Sequence, residues 1–292
     1  MNKKYVWIVF SLSLLITLPI RIFQQLFLVE DGTGFFTDGN VTATLISAIL
    51  LIGCILLVLF SHKIKEDSFL ISSVQEKNYA AGVTAILTAI ALLIQAINTL
   101  ISVTSPELQL NAEGESVVNS SAQQPLLYAI LAILGILSSF IMVIVATGHF
   151  TGKNFFKSYP LMILPLPLWG CFWLVVMFIR FTEVVNTTEN AYDLFSLIFL
   201  LMFLTAYAKF LGGIEEEKSK KTVMRYGLLS TLLGLVTSIP IIIIFILKIE
   251  RSEIENPFES FTLLSFSLYT FSFLWAGYHR SFLKKYKEKS FS

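Results

Sequence analysis

Four groups of polar residues interrupt otherwise apolar stretches, and any chemistry would have to reside in them. Arg21 is followed by Gln24 and Gln25, a spacing that puts all three on one helical face. Gln95 and Asn98, with Thr99 and Ser102, repeat that geometry further along. A third group closes an apolar run with Arg180 and Glu183, and a fourth opens the next run with Asp193 and Ser196. An arginine at mid-bilayer costs about 2.5 to 3.5 kcal/mol on insertion scales, so each such group asks for a partner or a wet cavity. Guanidinium groups fork onto carboxylates and phosphates, while amides both donate and accept, and together they suit a small polar, anionic or zwitterionic solute. The candidate ligand-binding residues are therefore Arg21, Gln24, Gln25, Gln95, Asn98, Arg180, Glu183 and Asp193. Ser265, Tyr269 and Ser272 form a hydroxyl stripe expected to line the same region. The competing reading is structural: Arg21 snorkels to the headgroups and Arg180 pairs with Glu183 or Asp193, which ties helices together.

Other chemistry finds little support. His62, His149 and His279 each end an apolar run without a His-Glu-x-x-His pattern and read as separate interfacial residues. There is no Gly-x-Ser-x-Gly elbow, phosphate-binding glycine loop or paired-cysteine motif. Cys54 and Cys171 both lie in apolar runs and read as packing residues. No catalytic residue, metal ligand, cofactor or nucleic-acid partner is expected.

The elements that must position these groups follow from composition. The 292 residues are 55% hydrophobic and only 14% charged, with a mean hydropathy of +0.75. A soluble domain carries roughly 25% charged residues, so this chain is too apolar to be solvated throughout. A hydrocarbon core of about 30 Å needs roughly 20 helical residues. Eight charge-poor stretches approach that length: Tyr5 to Val29, Val41 to Phe60, Ala80 to Val103, Leu126 to Gly148, Leu161 to Ile179, Tyr192 to Gly212, Tyr226 to Leu247 and Phe261 to Tyr278. The predicted fold is an all-α polytopic membrane helix bundle of eight transmembrane helices, forming one domain over residues 1–292. The first stretch lacks a cleavage-like alanine motif and is expected to remain as a helix.

Charge in the connecting segments sets the sidedness. Lys3, Lys4, Lys63, Lys65, Lys77, Lys153, Lys157, Lys209, Lys218, Lys220, Lys221, Arg225, Arg280, Lys284, Lys285, Lys287 and Lys289 all fall on the side of the N-terminus. Only Arg21, Arg180, Lys248 and Arg251 fall on the other, with most of the acids. Both termini are therefore predicted to be cytoplasmic. Removing one span would put a lysine-rich loop on the acidic side.

Pro160, Pro165 and Pro167 predict a kink or break at the start of the fifth span, a candidate lining element. The run from Ile214 to Val223, with three glutamates followed by three lysines, is expected as a solvated turn or a helical extension. Lysine in excess of arginine, with much Ile and Phe, suggests an AT-rich bacterial gene and hence a bacterial cytoplasmic membrane. Three functional classes fit. The first is a transporter or permease-like protein that binds a small polar or anionic solute in an outward-facing cavity. The others are a non-transporting sensor, assembly factor or subunit with a membrane-protein partner, and an enzyme embedded among lipids. The lipid bilayer is a partner in each.

Overall fold

Each charge-poor stretch becomes a helix. They are α1 (Lys4–Phe27), α2 (Val41–His62), α3 (Tyr79–Thr104), α4 (Pro125–Thr151), α5 (Pro165–Glu183), α6 (Thr187–Leu211), α7 (Glu216–Ile246) and α8 (Pro257–Ser290). The computed structural model describes residues 4–29, 36–39, 41–62, 77–104, 108–110, 116–118, 124–183, 187–249 and 257–290, and the side chains among these except for 108–110, 116–118, 181–183, 187–190, 216 and 280–290. Among the described residues the regular structure is helical apart from an antiparallel pair of strands, β1 (Leu108–Leu110) with β2 (Ser116–Val118), and one bridge between Val29 and Phe36.

Among the described residues seven helices are long and apolar enough to cross a membrane, those from α1 to α7. This is a multi-pass membrane protein. Its outward faces agree, because Leu15, Leu51, Val83, Phe140, Phe178 and Phe195, one on each of α1 to α6, are exposed. A water-soluble protein does not carry so extensive an apolar surface. The apolar stretch of α8 is diluted by Thr262, Ser265, Ser267, Tyr269, Thr270 and Ser272, all but the last of them buried. Most of these hydroxyls are answered within the helix: Thr262 donates to the Phe258 carbonyl at 2.9 Å, and Ser265, Ser267 and Ser272 donate to carbonyls one turn back at 2.8 Å.

Three predicted features differ in detail. The fifth span is broken where expected, but by two short 3-10 turns, Phe155–Lys157 and Pro160–Ile163, that precede α5. Pro165 and Pro167 occupy the first turn of α5, where backbone N–H groups have no intrahelical acceptor anyway. No carbonyl is orphaned inside the helix, and the argument that a broken span lines a cavity falls away. The glutamate–lysine run is helical from Glu216, so α7 begins ten residues before the predicted Tyr226. Gly213 (φ 71°) and Glu215 (φ 47°) turn the chain sharply before it. Finally, α8 carries its helix through the basic C-terminal cluster.

Packing follows the chain. α3 packs on α4, α4 on α5, α5 on α6, α6 on α7, α7 on α8, and α8 returns to α3, which closes a six-helix ring. The α1–α2 hairpin lies against α7. With neighbours on both sides, α7 is the most enclosed helix: 72% of its apolar window is buried, against 28% for α2. Small residues set the closest approaches. Ala81, Gly82, Ala85 and Ala89 make a buried stripe on α3, and Gly135 of α4 faces the methyl of Ala96. Trp169 and Trp173 of α5 are buried in the core, with Trp169 stacked on Phe266 of α8.

Neighbouring helices run in alternating directions, so the bundle has a lysine-rich end, with Lys4, His62, His149 and Lys209, and an acidic end, with Asp38, Asp193 and Glu259.

Candidate functional site

The buried face of α1 comprises Val6, Phe10, Ser13, Thr17, Arg21 and Gln24, a single stripe at helical spacing. Arg21 continues that stripe to the acidic end and is only 4% exposed, so it does not snorkel. Its Nη1 donates to Gln24 Oε1 at 2.6 Å, and Gln24 Nε2 donates to Thr42 Oγ1 of α2 at 3.2 Å. The Thr42 backbone N–H donates to Asp38 Oδ2 at 2.8 Å, and its hydroxyl donates to the same oxygen. Asp38 thus places negative charge at the N-terminus of α2, where the helix dipole favours it. The guanidinium carbon of Arg21 also lies 4.8 Å from the ring centroid of Tyr192 on α6, in cation–π range. The Tyr192 hydroxyl donates to the Ala43 carbonyl at 2.9 Å and hydrogen-bonds with Ser47 at 2.6 Å. Arg21 is therefore the centre of a three-helix polar junction, with Gln25 buried beside it and engaged by other residues.

A second junction closes the acidic end of the six-helix ring. Arg180 of α5 forks onto Glu259 of α8, with Nη2 to Oε1 at 2.8 Å and Nη1 to Oε2 at 3.3 Å. Both side chains are mostly buried. The sequence pairs Arg180 with Glu183 or Asp193; the Glu183 side chain lies outside the described residues, and Asp193 is partly buried and makes interactions of its own.

Gln95 reaches the level of this ion pair from α3. Thr88 donates to the Ser265 carbonyl at 3.0 Å and Thr262 donates to the Ala91 carbonyl at 3.4 Å, an antiparallel register that brings Gln95 beside Phe258 and Glu259. Gln95 is 4% exposed, and its Oε1 has no hydrogen-bond donor among the described residues. Trp173 lies seven residues from Arg180 on the same face of α5, and its buried Nε1 likewise has no acceptor among them. A buried acceptor therefore stands unsatisfied at the level of the ion pair, and a buried donor about 10 Å deeper along α5. Asn98, one turn nearer the end of α3, is partly buried and engaged by other residues.

The sequence reading missed a third group, at the lysine-rich end inside the ring. His149 of α4, 3% exposed, hydrogen-bonds through Nε2 with the Tyr269 hydroxyl at 3.1 Å, and that hydroxyl also bonds Tyr207 of α6. Phe273 packs against all three rings. Beside them is a cavity of about 10 Å³ lined by His149, Asn154, Phe156 and Tyr207, close to the space one water needs. This corrects two expectations. His149 is an interior group rather than an interfacial one, and Tyr269 turns to the lysine-rich end instead of joining the outer polar groups. His62 is exposed and meets Arg225 Nη2 through Nδ1 at 3.1 Å.

The sequence carries a signal for Asp38, since an aspartate just ahead of an apolar run marks a helix start. It carries none that selects Glu259 over the other acids of that end. Comparison with known protein families, with curated proteins and with solved structures finds no match to this chain.

Proposed function

We propose that this is an eight-span protein of a bacterial cytoplasmic membrane with both termini in the cytoplasm, and that it takes up or binds a small anionic or zwitterionic solute at the outer end of the six-helix ring, as a transporter or permease-like protein does. The span count is supported by the reach of α8. Glu259 at one end meets Arg180, and Trp275 and Tyr278 at the other pack on Trp7 of α1. The intervening residues cover roughly 25 Å at about 1.5 Å each, most of a hydrocarbon core. The sidedness is supported by the lysines at the opposite end.

The observation that carries the solute reading is the unsatisfied Gln95 Oε1 in the buried layer of the Arg180–Glu259 pair. A solute carboxylate takes the place of Glu259 on the Arg180 fork, a solute ammonium or hydroxyl donates to Gln95, and Trp173 Nε1 donates to an acceptor deeper in the ring. The ion pair is then the closed state of an outer gate.

A second reading is favoured by the Arg21 junction, where the guanidinium is spent on Gln24 and Tyr192. There the polar groups hold helices together, as expected of a sensor, assembly factor or partner subunit.

Cysteine accessibility separates the two. In a Cys54→Ala, Cys171→Ala background, Gln95→Cys is expected to react in intact cells with a small membrane-impermeant methanethiosulfonate, at a rate between that of exposed Thr104→Cys and zero. No reaction at Gln95→Cys, with Thr104→Cys labelled, sinks the solute reading and leaves the helix tie.

A further inference from the structure

The lipid-facing flank between α6 and α7 holds a cavity of about 380 Å³ at the lysine-rich end. Its wall toward the bilayer centre is apolar, made by Leu201, Met202 and Ala206. Its mouth is basic and hydroxylic, with Lys209, Lys218 and Thr222, while Tyr226 lies deeper with its ring against Phe199. Lys209 and Lys218 are both exposed, as is Met202, so the groove opens sideways toward lipid and endwise toward water.

We propose that this groove binds an anionic phospholipid, with one acyl chain along Leu201 and Met202 and the phosphate between Lys209 and Lys218. The order of chemistries matches that of a lipid, apolar toward mid-membrane and cationic at headgroup depth. Basic pockets between transmembrane helices near the membrane surface favour anionic headgroups for this reason. Among the described residues one carboxylate lines the groove and competes. Glu215 sits 3.7 Å from Lys218, but the two side chains are 53% and 81% exposed. An exposed pair three residues apart contributes little and exchanges readily for a phosphate. Lys218 lies in the first turn of α7, and the Thr222 hydroxyl donates back to its carbonyl at 2.8 Å. Assignment to the cytoplasmic leaflet rests on the sidedness proposed above; the binding chemistry does not.

The test uses the full chain purified in a neutral detergent, with native mass spectrometry and thermal unfolding as readouts. Phosphatidylglycerol is expected to bind saturably and raise the unfolding temperature, whereas phosphatidylcholine and inorganic phosphate are not. Each lysine near a charged lipid is worth about fivefold, so Lys209→Gln with Lys218→Gln is expected to weaken phosphatidylglycerol binding on the order of twentyfold. Thr205→Trp, which fills the groove from an exposed position, removes binding without touching either charge. Lys284→Gln with Lys285→Gln leaves it intact. The proposal is overturned if phosphatidylcholine binds equally, if phosphate alone gives the full shift, or if the Lys209/Lys218 variant retains binding. A dimer that Thr205→Trp disrupts, with no lipid retained, overturns it as well and makes the groove a self-association face. An error in sidedness would leave all these outcomes unchanged and would appear only in labelling of intact cells.

Discussion

Arg180 and Glu259 meet through two parallel hydrogen bonds, at 2.8 and 3.3 Å, although they lie on helices that are separated in the chain by α6 and α7. The fork fixes α5 against α8 at the acidic end, while the stack of Trp169 on Phe266 fixes the same two helices deeper down. The ion pair and the aromatic contact together set the rotation of both helices. That rotation determines what faces the ring interior.

Removing either partner leaves a largely buried charge, whereas removing both does not. Arg180→Gln and Glu259→Gln are each expected to destabilise the purified protein by about 2 to 4 kcal/mol, less than a fully buried pair because some solvent reaches it. The double variant should be more stable than the sum of the singles implies, with a coupling on the order of 1 kcal/mol or more. A double-mutant cycle by denaturant titration in mixed micelles measures this. Strict additivity would show that the two groups do not act as a pair.

Much of this arrangement could be read from the chain, and the limits have physical causes. Helix ends fall within a few residues of prediction where an apolar run meets charge, as at His62 and Thr104. They miss where a helix continues into water, as at Glu216, because nothing in the hydropathy marks a solvated turn as helical. The depth of Arg21 and the common face of Gln24 were legible from spacing alone. The Glu259 fork on Arg180 was not, because the rotation of one helix against another is set by packing across the bundle. His149 and Tyr269 are separated by 120 positions, and no periodicity links them.

At the crossing of α7 and α8 the backbones approach so closely that a Cβ on Gly234 would stand 2.1 Å from Ser267 Oγ. To make room, the Ser267 hydroxyl must rotate away from the Leu263 carbonyl, which it meets at 2.8 Å, and a buried hydroxyl then loses its acceptor. Gly234→Ala is expected to cost about 1 to 3 kcal/mol. Adding Ser267→Ala should recover most of that loss, since it removes the conflicting atom. Thermal unfolding of the three variants decides it, and a double variant no better than Gly234→Ala would refute the contact.

In the cluster at the lysine-rich end the Tyr269 hydroxyl bridges His149 and Tyr207, so deleting it disturbs two buried groups. Tyr269→Phe is expected to lower stability by about 1 to 3 kcal/mol, and Tyr207→Phe by less, because Tyr269 then keeps its bond to His149. Unfolding temperatures in one detergent at one pH give the comparison. Equal effects would mean that the bridge has no privileged member.

The proposed eighth span yields the sharpest prediction, because α8 fails a simple hydropathy test and yet makes contacts at both ends of the bundle. Its hydroxyls are turned into the bundle and largely back-bonded to the preceding turn, so the lipid does not meet them and they impose little insertion cost. If α8 crosses and the lysine-rich end is cytoplasmic, Glu113→Cys reacts with an impermeant thiol reagent in intact cells. Lys220→Cys and a cysteine at Ser292 react only after the membrane is permeabilised. Labelling of Ser292→Cys from outside, with Lys220→Cys protected, would show that α8 does not cross. That result would also separate Glu259 from the depth at which Arg180 holds it, and the gate proposed for the ring would be lost with it.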